Sequence, residues 1–227
     1  NLVAGNYSVL VSDLNSCTIS DSIIVNEPSA PLTLSSSIIN VDCYGDSTGS
    51  IDLFISGGST PYFKQWSNSS SFVLSDTTNN LSNQPSDTYS ALVTDNNGCI
   101  AELTSPINQP NAPLSISAVV SDVNCNSLSD GSIDINVSGG ALNYTYVWSN
   151  TSTAEDLINV SAGNYTIIVT DTNNCVESDS FIVSEPDLPL SILLNKTDVL
   201  CNSDLDGQIQ SIVQGGTQPY SYLWSNN

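Results

Sequence analysis

The sequence predicts an all-β protein made of small antiparallel β-sandwich repeats that follow one another along the chain. Two observations carry this prediction. A set of sequence markers recurs with one spacing, and apolar residues alternate with polar ones without a helical period. The chain has 227 residues, of which 39% are hydrophobic. Its aliphatic side chains are mostly Ile, Val and Leu, which favour strands.

The repeat is defined by five markers in one register. The step from Cys17 to Cys99 is 82 residues, and the step from Cys99 to Cys175 is 76. Four further sets share these steps: Cys43, Cys125 and Cys201; Trp66, Trp148 and Trp224; Tyr7, Tyr89 and Tyr165; and Pro28, Pro110 and Pro186.

Repeat boundaries are expected at Pro-rich segments, because proline lacks the donor that a β-ladder needs and stiffens the chain. They divide the chain into the C-terminal part of one repeat (1–28), two complete repeats (29–110 and 111–186) and the N-terminal part of a fourth (187–227).

The strands of one repeat can be placed in order along 111–186. The predicted strands are A at 114–121, B at 133–137, C at 144–148, a short stretch at 157–158, F at 165–169 and G at 181–183. Turn residues such as Asp130-Gly131 and Gly139-Gly140 separate them. About seven short strands separated by such turns predict an immunoglobulin-like sandwich.

The recurring aromatic residues are predicted to be core residues. Trp148 on strand C and Tyr165 at the start of strand F stand where this fold places its core Trp and its corner Tyr. Their counterparts in the other repeats, Trp66, Trp224, Tyr7 and Tyr89, receive the same prediction.

The charge excludes several functions. With 2 Lys+Arg, 23 Asp+Glu and no His, the formal net charge is −21, which repels nucleic acids and anionic membranes. No stretch approaches the ~20 apolar residues that span a bilayer, so the chain is not expected to be membrane-embedded. Without His or Arg, nucleophilic triads and most phosphate chemistry are ruled out. We therefore expect no enzyme activity and no cofactor.

The six cysteines, Cys17, Cys43, Cys99, Cys125, Cys175 and Cys201, are predicted to form disulfides, since the chain has no His and no CxxC pair for zinc. Disulfides imply an oxidising, extracellular compartment. One pairing stays within a repeat, as Cys43–Cys99 and Cys125–Cys175. However, the first Cys of a repeat follows strand A and the second opens strand G, so the two lie at opposite ends of a strand about 26 Å long. Bridged Cα atoms lie within about 7 Å.

The alternative pairing joins successive repeats, as Cys43–Cys175. The remaining cysteines would then have partners outside these 227 residues. Both pairings stay open at the level of sequence.

Acidic turns suggest calcium as a ligand. Asp46, Asp130 and Asp204 follow strand A in their repeats, and Asp171 lies in the turn between strands F and G. If the ends of neighbouring repeats meet, these oxygens converge, as a hard cation requires. The competing interpretation is ordinary turn chemistry, in which Asp and Asn accept hydrogen bonds from their own backbone.

Two motifs indicate a family. The pattern C-x-G-D-x-x-G-S-I…S-G-G-x-x-P-Y-x-x-x-W-S at 43–67 and A-G-N-Y-T-I-I-V-T-D-T-N-N-C at 162–175 resemble the SprB-type repeats of Bacteroidota surface proteins. The resemblance implies a very large cell-surface adhesin that is secreted through the type IX system and serves gliding motility or attachment.

The expected function is that of a structural stalk, which projects a distal tip from the cell surface and contacts mainly the neighbouring repeats of its own chain. The alternative is a binding module, in which exposed loops grip polysaccharide or a substratum. Exposed aromatic residues would favour the binding module.

Overall fold

A computed structural model describes residues 1–74 and 77–225, and its regular elements are all β-strands. The strands are β1 (Gly5–Ser12), β2 (Thr18–Val25), β3 (Thr33–Ile39), β4 (Gly49–Ser56), β5 (Phe63–Ser67), β6 (Asn80–Gln84), β7 (Asp87–Thr94), β8 (Ile100–Ile107), β9 (Ser115–Ser121), β10 (Gly131–Ser138), β11 (Thr145–Trp148), β12 (Leu157–Val160), β13 (Gly163–Thr170), β14 (Val176–Val183), β15 (Ser191–Thr197) and β16 (Gln208–Gln214). The described residues contain no helix long and apolar enough to cross a membrane.

Contacts divide the chain into two units. The first consists of Asn1–Val41 and Gly45–Gln109, and the second of Asp42–Tyr44 together with the chain from Pro110 onward. Each unit contains one complete repeat and one hairpin from an incomplete repeat.

The complete repeat of the first unit is a sandwich of two three-stranded antiparallel sheets, ordered β3-β4-β6 and β5-β7-β8. These are the A-B-E and C-F-G sheets of an immunoglobulin-like fold. Side chains along β4 point alternately into the core and into solvent. Ile51 and Leu53 are buried, with 0% and 2% exposure, and Asp52 and Phe54 are exposed. Trp66 and Tyr89 fill the space between the sheets.

The complete repeat of the second unit has the same design, with sheets ordered β12-β10-β9 and β11-β13-β14. Ile133 and Ile135 from β10 meet Ile167 and Val169 from β13 around Trp148. The structure confirms the prediction of an all-β fold of immunoglobulin-like sandwiches. Each complete repeat shows six strands among its described residues, where the sequence suggested about seven.

Two hairpins form the remaining sheets. Strands β1 and β2 pair over their full length from Gly5↔Val25 to Ser12↔Thr18, and strands β15 and β16 pair from Ser191↔Gln214 to Thr197↔Gln208. Each hairpin is a sheet of two strands among the described residues.

Tryptophan side chains are buried only where the repeat is complete. Trp66 and Trp148 are 1% and 2% exposed, and their indole N–H groups donate to the carbonyls of Thr78 and Ala154. Trp224 was predicted to be a core residue, but it is 37% exposed. Trp148 is covered by the sheet that contains β13 and β14, and the described residues after Trp224, up to 225, contain no such strands.

Each recurring tyrosine bonds to the backbone four residues upstream. The hydroxyls of Tyr7, Tyr89 and Tyr165 donate to the carbonyls of Val3, Pro85 and Ser161, as a tyrosine corner does. Tyr89 is buried, whereas Tyr7 and Tyr165 are half-buried, so for these two the predicted core role is only partly met. Tyr165 still packs against the core of its repeat.

Candidate functional site: aspartate turns and bridge cysteines

The turn between β13 and β14 is built around the carboxylate of Asp171, which is 4% exposed. Oδ1 accepts the N–H of Asn173 at 2.8 Å and that of Cys175 at 2.9 Å. Oδ2 accepts the N–H of Ala141 at 2.8 Å. One side chain therefore holds the backbone of Cys175 and the loop that follows β10.

Cys175 forms a disulfide with Cys43, with the two Cα atoms 5.7 Å apart and a sequence separation of 132. Beside it, the side-chain N–H of Asn173 donates to the carbonyl of Asp42 at 2.8 Å. Segment Asp42–Tyr44 follows β3 in the chain, yet its contacts group it with the second unit. Of the two pairings that the sequence left open, this is the one that joins successive repeats. The within-repeat pairs Cys43–Cys99 and Cys125–Cys175 are not formed, because each would need one of these two cysteines.

The same turn recurs in the first unit around Asp95, which is 2% exposed. Oδ1 accepts the N–H groups of Asn97 and Cys99, and Oδ2 accepts that of Ser59. The side chain of Asn97 donates to the hydroxyl of Ser59, where Asn173 donates to a carbonyl of the bridged segment. The turn that holds a cysteine thus forms without a disulfide.

The third copy of the turn lies in the exposed hairpin β1–β2. Asp13 accepts the N–H groups of Asn15 and Cys17 at 2.8 Å each. Burial is therefore not needed for this geometry, and the local sequence Asp-x-Asn-x-Cys specifies it.

Hydrogen bonds lower the pKa of Asp95 below its ordinary value of 3.8. The largest cause is the bond from the Ser59 backbone, burial opposes it, and the bonds from Cys99 and Asn97 add to the lowering. A depressed folded pKa contributes stability that is fully present above the unfolded value and is lost as pH falls through the folded value.

We expect Asp95→Asn to flatten the acid side of the stability profile of the first unit. Wild type should lose stability as pH falls below about 3.8, because the Asp95 carboxylate becomes protonated. The variant has no carboxylate at this position, so it should not lose this contribution. The difference in unfolding free energy between the two proteins should therefore shrink as the solution is acidified. Urea unfolding over a series of pH values measures it, and a difference that is constant with pH would contradict the assignment.

Four cysteines in the described part of the chain, Cys17, Cys99, Cys125 and Cys201, are exposed free thiols. Cys17 and Cys99 occupy the aspartate turn, like Cys175. Cys125 and Cys201 follow strand A of their repeats, like Cys43.

The predicted calcium ligands have separate surroundings. Asp171 uses both carboxylate oxygens in its turn, and Asp130 accepts the backbone and side-chain N–H groups of Asn124. The side-chain bond from Asn124 is the main cause that lowers the pKa of Asp130. Asp46 and Asp204 are exposed. Residues 1–74 and 77–225 contain no group of three or more His, Cys, Asp or Glu that could hold a metal ion. Calcium binding stays a prediction.

A contact that the sequence reading missed is the clamp between each double-glycine turn and the Pro-rich segment before it. Gly58 donates to the carbonyl of Ala30, Gly140 to that of Ala112 and Gly216 to that of Leu188. The preceding glycine has a positive φ each time and lies against the carbonyl of Pro31, Pro113 or Pro189. The signal was present in the sequence, because both the Gly-Gly pair and the proline recur with the repeat.

Comparison with known proteins identifies the repeat. The family model described as SprB repeat matches residues 35–71, 117–153 and 193–227. Each match begins in strand A and runs beyond the Trp marker or to the end of the chain. No curated protein sequence matches the chain.

Among solved structures, the chain is similar to one described as a crystal structure of a tetra-tandem repeat in the extending region of a large adhesion protein. The identity is 15%, and the alignment covers 94% of this chain and 71% of that chain. The TM-score is 0.26.

Proposed function

The chain carries three SprB repeats in tandem, and from this premise we propose that it is a length of the structural stalk of a large secreted cell-surface adhesin. The stalk holds a distal tip away from the cell for attachment or gliding. Its role is mechanical and not enzymatic, and its main partners are the neighbouring repeats of the same chain.

The observation that carries the proposal is the disulfide between Cys43 and Cys175, which belong to successive repeats. A sandwich of this size needs no such bond to close its own core, since each complete repeat already has a continuous apolar cluster. The bond instead closes a loop of chain that includes the Pro-rich segment at Pro110–Pro113. A tether of this kind limits the conformations open to that segment, as a load-transmitting array requires.

The high negative charge supports the same role. A formal charge of −21 on 227 residues keeps neighbouring chains apart by repulsion at low salt. It also disfavours adsorption to anionic surfaces along the length of the stalk.

The alternative, a module that binds polysaccharide or a substratum, has one observation in its favour. Phe54, Phe63 and Phe72 are 56%, 65% and 66% exposed. Phe54 lies on β4 and Phe63 on β5, so the two rings project from different sheets. Their counterparts in the second repeat are Asn136 and Thr145. A binding platform that recurs in every repeat is therefore not favoured.

The stalk proposal predicts an extended chain in solution. The test compares two variants. In the bridged form the four free cysteines are replaced by Ser and the Cys43–Cys175 bond is kept. In the unbridged form Cys43 and Cys175 are replaced by Ser as well. Small-angle scattering of the bridged form should give a radius of gyration well above the roughly 17 Å of a compact domain of this length. The unbridged form should give a broader distribution of distances.

A compact bridged form, or identical distributions in the two forms, would contradict the stalk proposal. Binding of the bridged form to a glycan array, abolished by replacing Phe54, Phe63 and Phe72 with Ser, would support the alternative function instead.

A further inference from the structure

The loop that carries Cys43 is held on both sides of the cysteine by its own repeat. Before the cysteine, the N–H of the buried residue Val41 donates to the carbonyl of Asn108 at 2.8 Å. After it, the N–H of Gly45 donates to the side-chain oxygen of Gln109 at 2.8 Å. Asn108 and Gln109 lead into the Pro-rich segment. The residues at which the chain leaves the repeat therefore also fix the loop.

The contact made by Gln109 recurs beside Cys125 in the next repeat. There the N–H of Ser127 donates to the carboxylate of Glu185, which stands 76 residues after Gln109. The two donors, Gly45 and Ser127, share a left-handed backbone with φ of +84° and +66°, and both acceptor side chains are half-buried. Cys125 is a thiol, so the loop takes this arrangement without a disulfide to hold it.

A side chain of the next repeat contacts the loop of Cys43 from the aspartate turn. The side-chain N–H of Asn173 donates to the carbonyl of Asp42 at 2.8 Å, directly beside the cysteine. The backbone N–H groups of Asn173 and Cys175 are both bonded to the carboxylate of Asp171. Asn173 therefore reaches the loop from a turn whose backbone is already fixed.

The equivalent turn of the first repeat shows the same asparagine with another acceptor. The backbone N–H of Asn97 is bonded to Asp95, and its side chain donates to the hydroxyl of Ser59 in its own repeat at 2.9 Å. The turn thus offers a side-chain donor whether or not a loop lies against it. What distinguishes Asn173 is that its acceptor belongs to a loop from the preceding repeat.

We propose that Gln109 and Asn173 are positioning residues for the bond between Cys43 and Cys175. Gln109 fixes the loop to the end of its repeat, and Asn173 docks the carbonyl beside Cys43 before the bond forms. Both contacts leave the two sulfurs fewer arrangements, so they raise the effective concentration of one thiol toward the other. The inference deepens the stalk proposal, on which it rests for the purpose of the bond.

The strength of this positioning is measurable, because the bond forms in a glutathione buffer by thiol–disulfide exchange. One protein thiolate attacks oxidised glutathione and releases one reduced glutathione, and the second protein thiolate attacks the mixed disulfide and releases another. The two protein thiols lose two protons and two electrons, which glutathione disulfide accepts. The equilibrium constant of the complete exchange is the effective concentration of the two thiols.

The test uses the bridged form, which is the full 227-residue chain with the four free cysteines replaced by Ser. It is equilibrated with reduced and oxidised glutathione at pH 7, quenched with acid, and resolved by mass into reduced, mixed and bridged species. Gln109→Ala should lower the effective concentration about fivefold, because one hydrogen bond is lost. Asn173→Asp should lower it by at least as much, since its carboxylate cannot donate and repels the carbonyl of Asp42.

A rescue and two matched controls separate positioning from general damage. Gln109→Glu installs the residue type found at position 185 and should restore the value of the parent protein. Glu185→Ala and Asn97→Asp remove the equivalent side chains of the other repeat and should leave the effective concentration unchanged. Circular dichroism of the reduced proteins should be the same for all variants, which shows that the exchange is measured between folded states.

The two proposals can fail separately. The positioning role is overturned if Gln109→Ala or Asn173→Asp has the effective concentration of the parent protein, or if the matched controls lower it equally. In these cases the bond still forms and the stalk proposal is unaffected. If the parent protein does not form the bond at all, the positioning role fails together with the observation that carries the stalk proposal.

Discussion

Replacement of Asp171 by Ala is expected to destabilise the second unit by about 3 kcal/mol. The substitution removes the acceptor for three backbone N–H groups, those of Ala141, Asn173 and Cys175. Each buried donor left without a partner costs about 1–3 kcal/mol, and exposure to water at the turn offsets part of that cost. The same change should slow formation of the Cys43–Cys175 bond, because the backbone of Cys175 is no longer held.

The measurement is native-state hydrogen exchange, read on peptides from β13 for Asp171→Ala and on peptides from β1 for the control, in reducing buffer so that the disulfide does not contribute. Asp13→Ala is the matched control. Asp13 makes the same two bonds within its turn but is exposed, so water replaces the carboxylate and the loss should be below about 1 kcal/mol. Equal effects of the two substitutions would show that the buried position of Asp171 does not matter.

Gly57→Ala is expected to destabilise the first unit by at least about 3 kcal/mol. Gly57 has φ +70°, which costs an L-residue about 1 kcal/mol or more. In addition, a Cβ at this position would lie 1.9 Å from the carbonyl oxygen of Pro31. That oxygen belongs to the backbone, so relief requires movement of the Pro-rich segment and loss of the clamp.

Gly98→Ala separates the two causes in the same unit. Gly98 has φ +82°, but a Cβ there would meet nothing within 4 Å. It should therefore cost only the strain of a positive φ, about 1–2 kcal/mol. Urea unfolding of both variants gives the difference, which reports the clamp alone. A Gly57→Ala variant no less stable than Gly98→Ala would mean that the clamp contributes nothing to stability.

Most of the sandwich could be predicted from residue order. Strand A was placed at 114–121 and is found at Ser115–Ser121, and strand C was placed at 144–148 and is found at Thr145–Trp148. The alternation of apolar and polar residues is a local property of the sequence. It therefore predicts a strand wherever one face of that strand is buried. The Asp-x-Asn-x-Cys turns are local for the same reason.

Burial was less predictable than strand position. Trp224 lies in the same Tyr-x-Tyr-x-Trp-Ser-Asn pattern as Trp148, yet it is exposed. Whether an aromatic ring lies in a core depends on strands that follow some 15 to 30 residues later, as β13 and β14 do for Trp148. The clamp between Gly57 and Pro31 was also missed, because it joins positions 26 residues apart, and their shared recurrence with the repeat does not by itself say that they are in contact.

By itself, the sequence determined the repeat, its strands, its turns and the family, since each depends on residues close together in the chain and recurs three times. Only the tertiary structure decided which cysteines meet and which apolar faces are covered. The sequence around a cysteine does not say which other cysteine it pairs with. A disulfide forms where folding brings two cysteines to a Cα–Cα distance that the bond allows, as it does for Cys43 and Cys175.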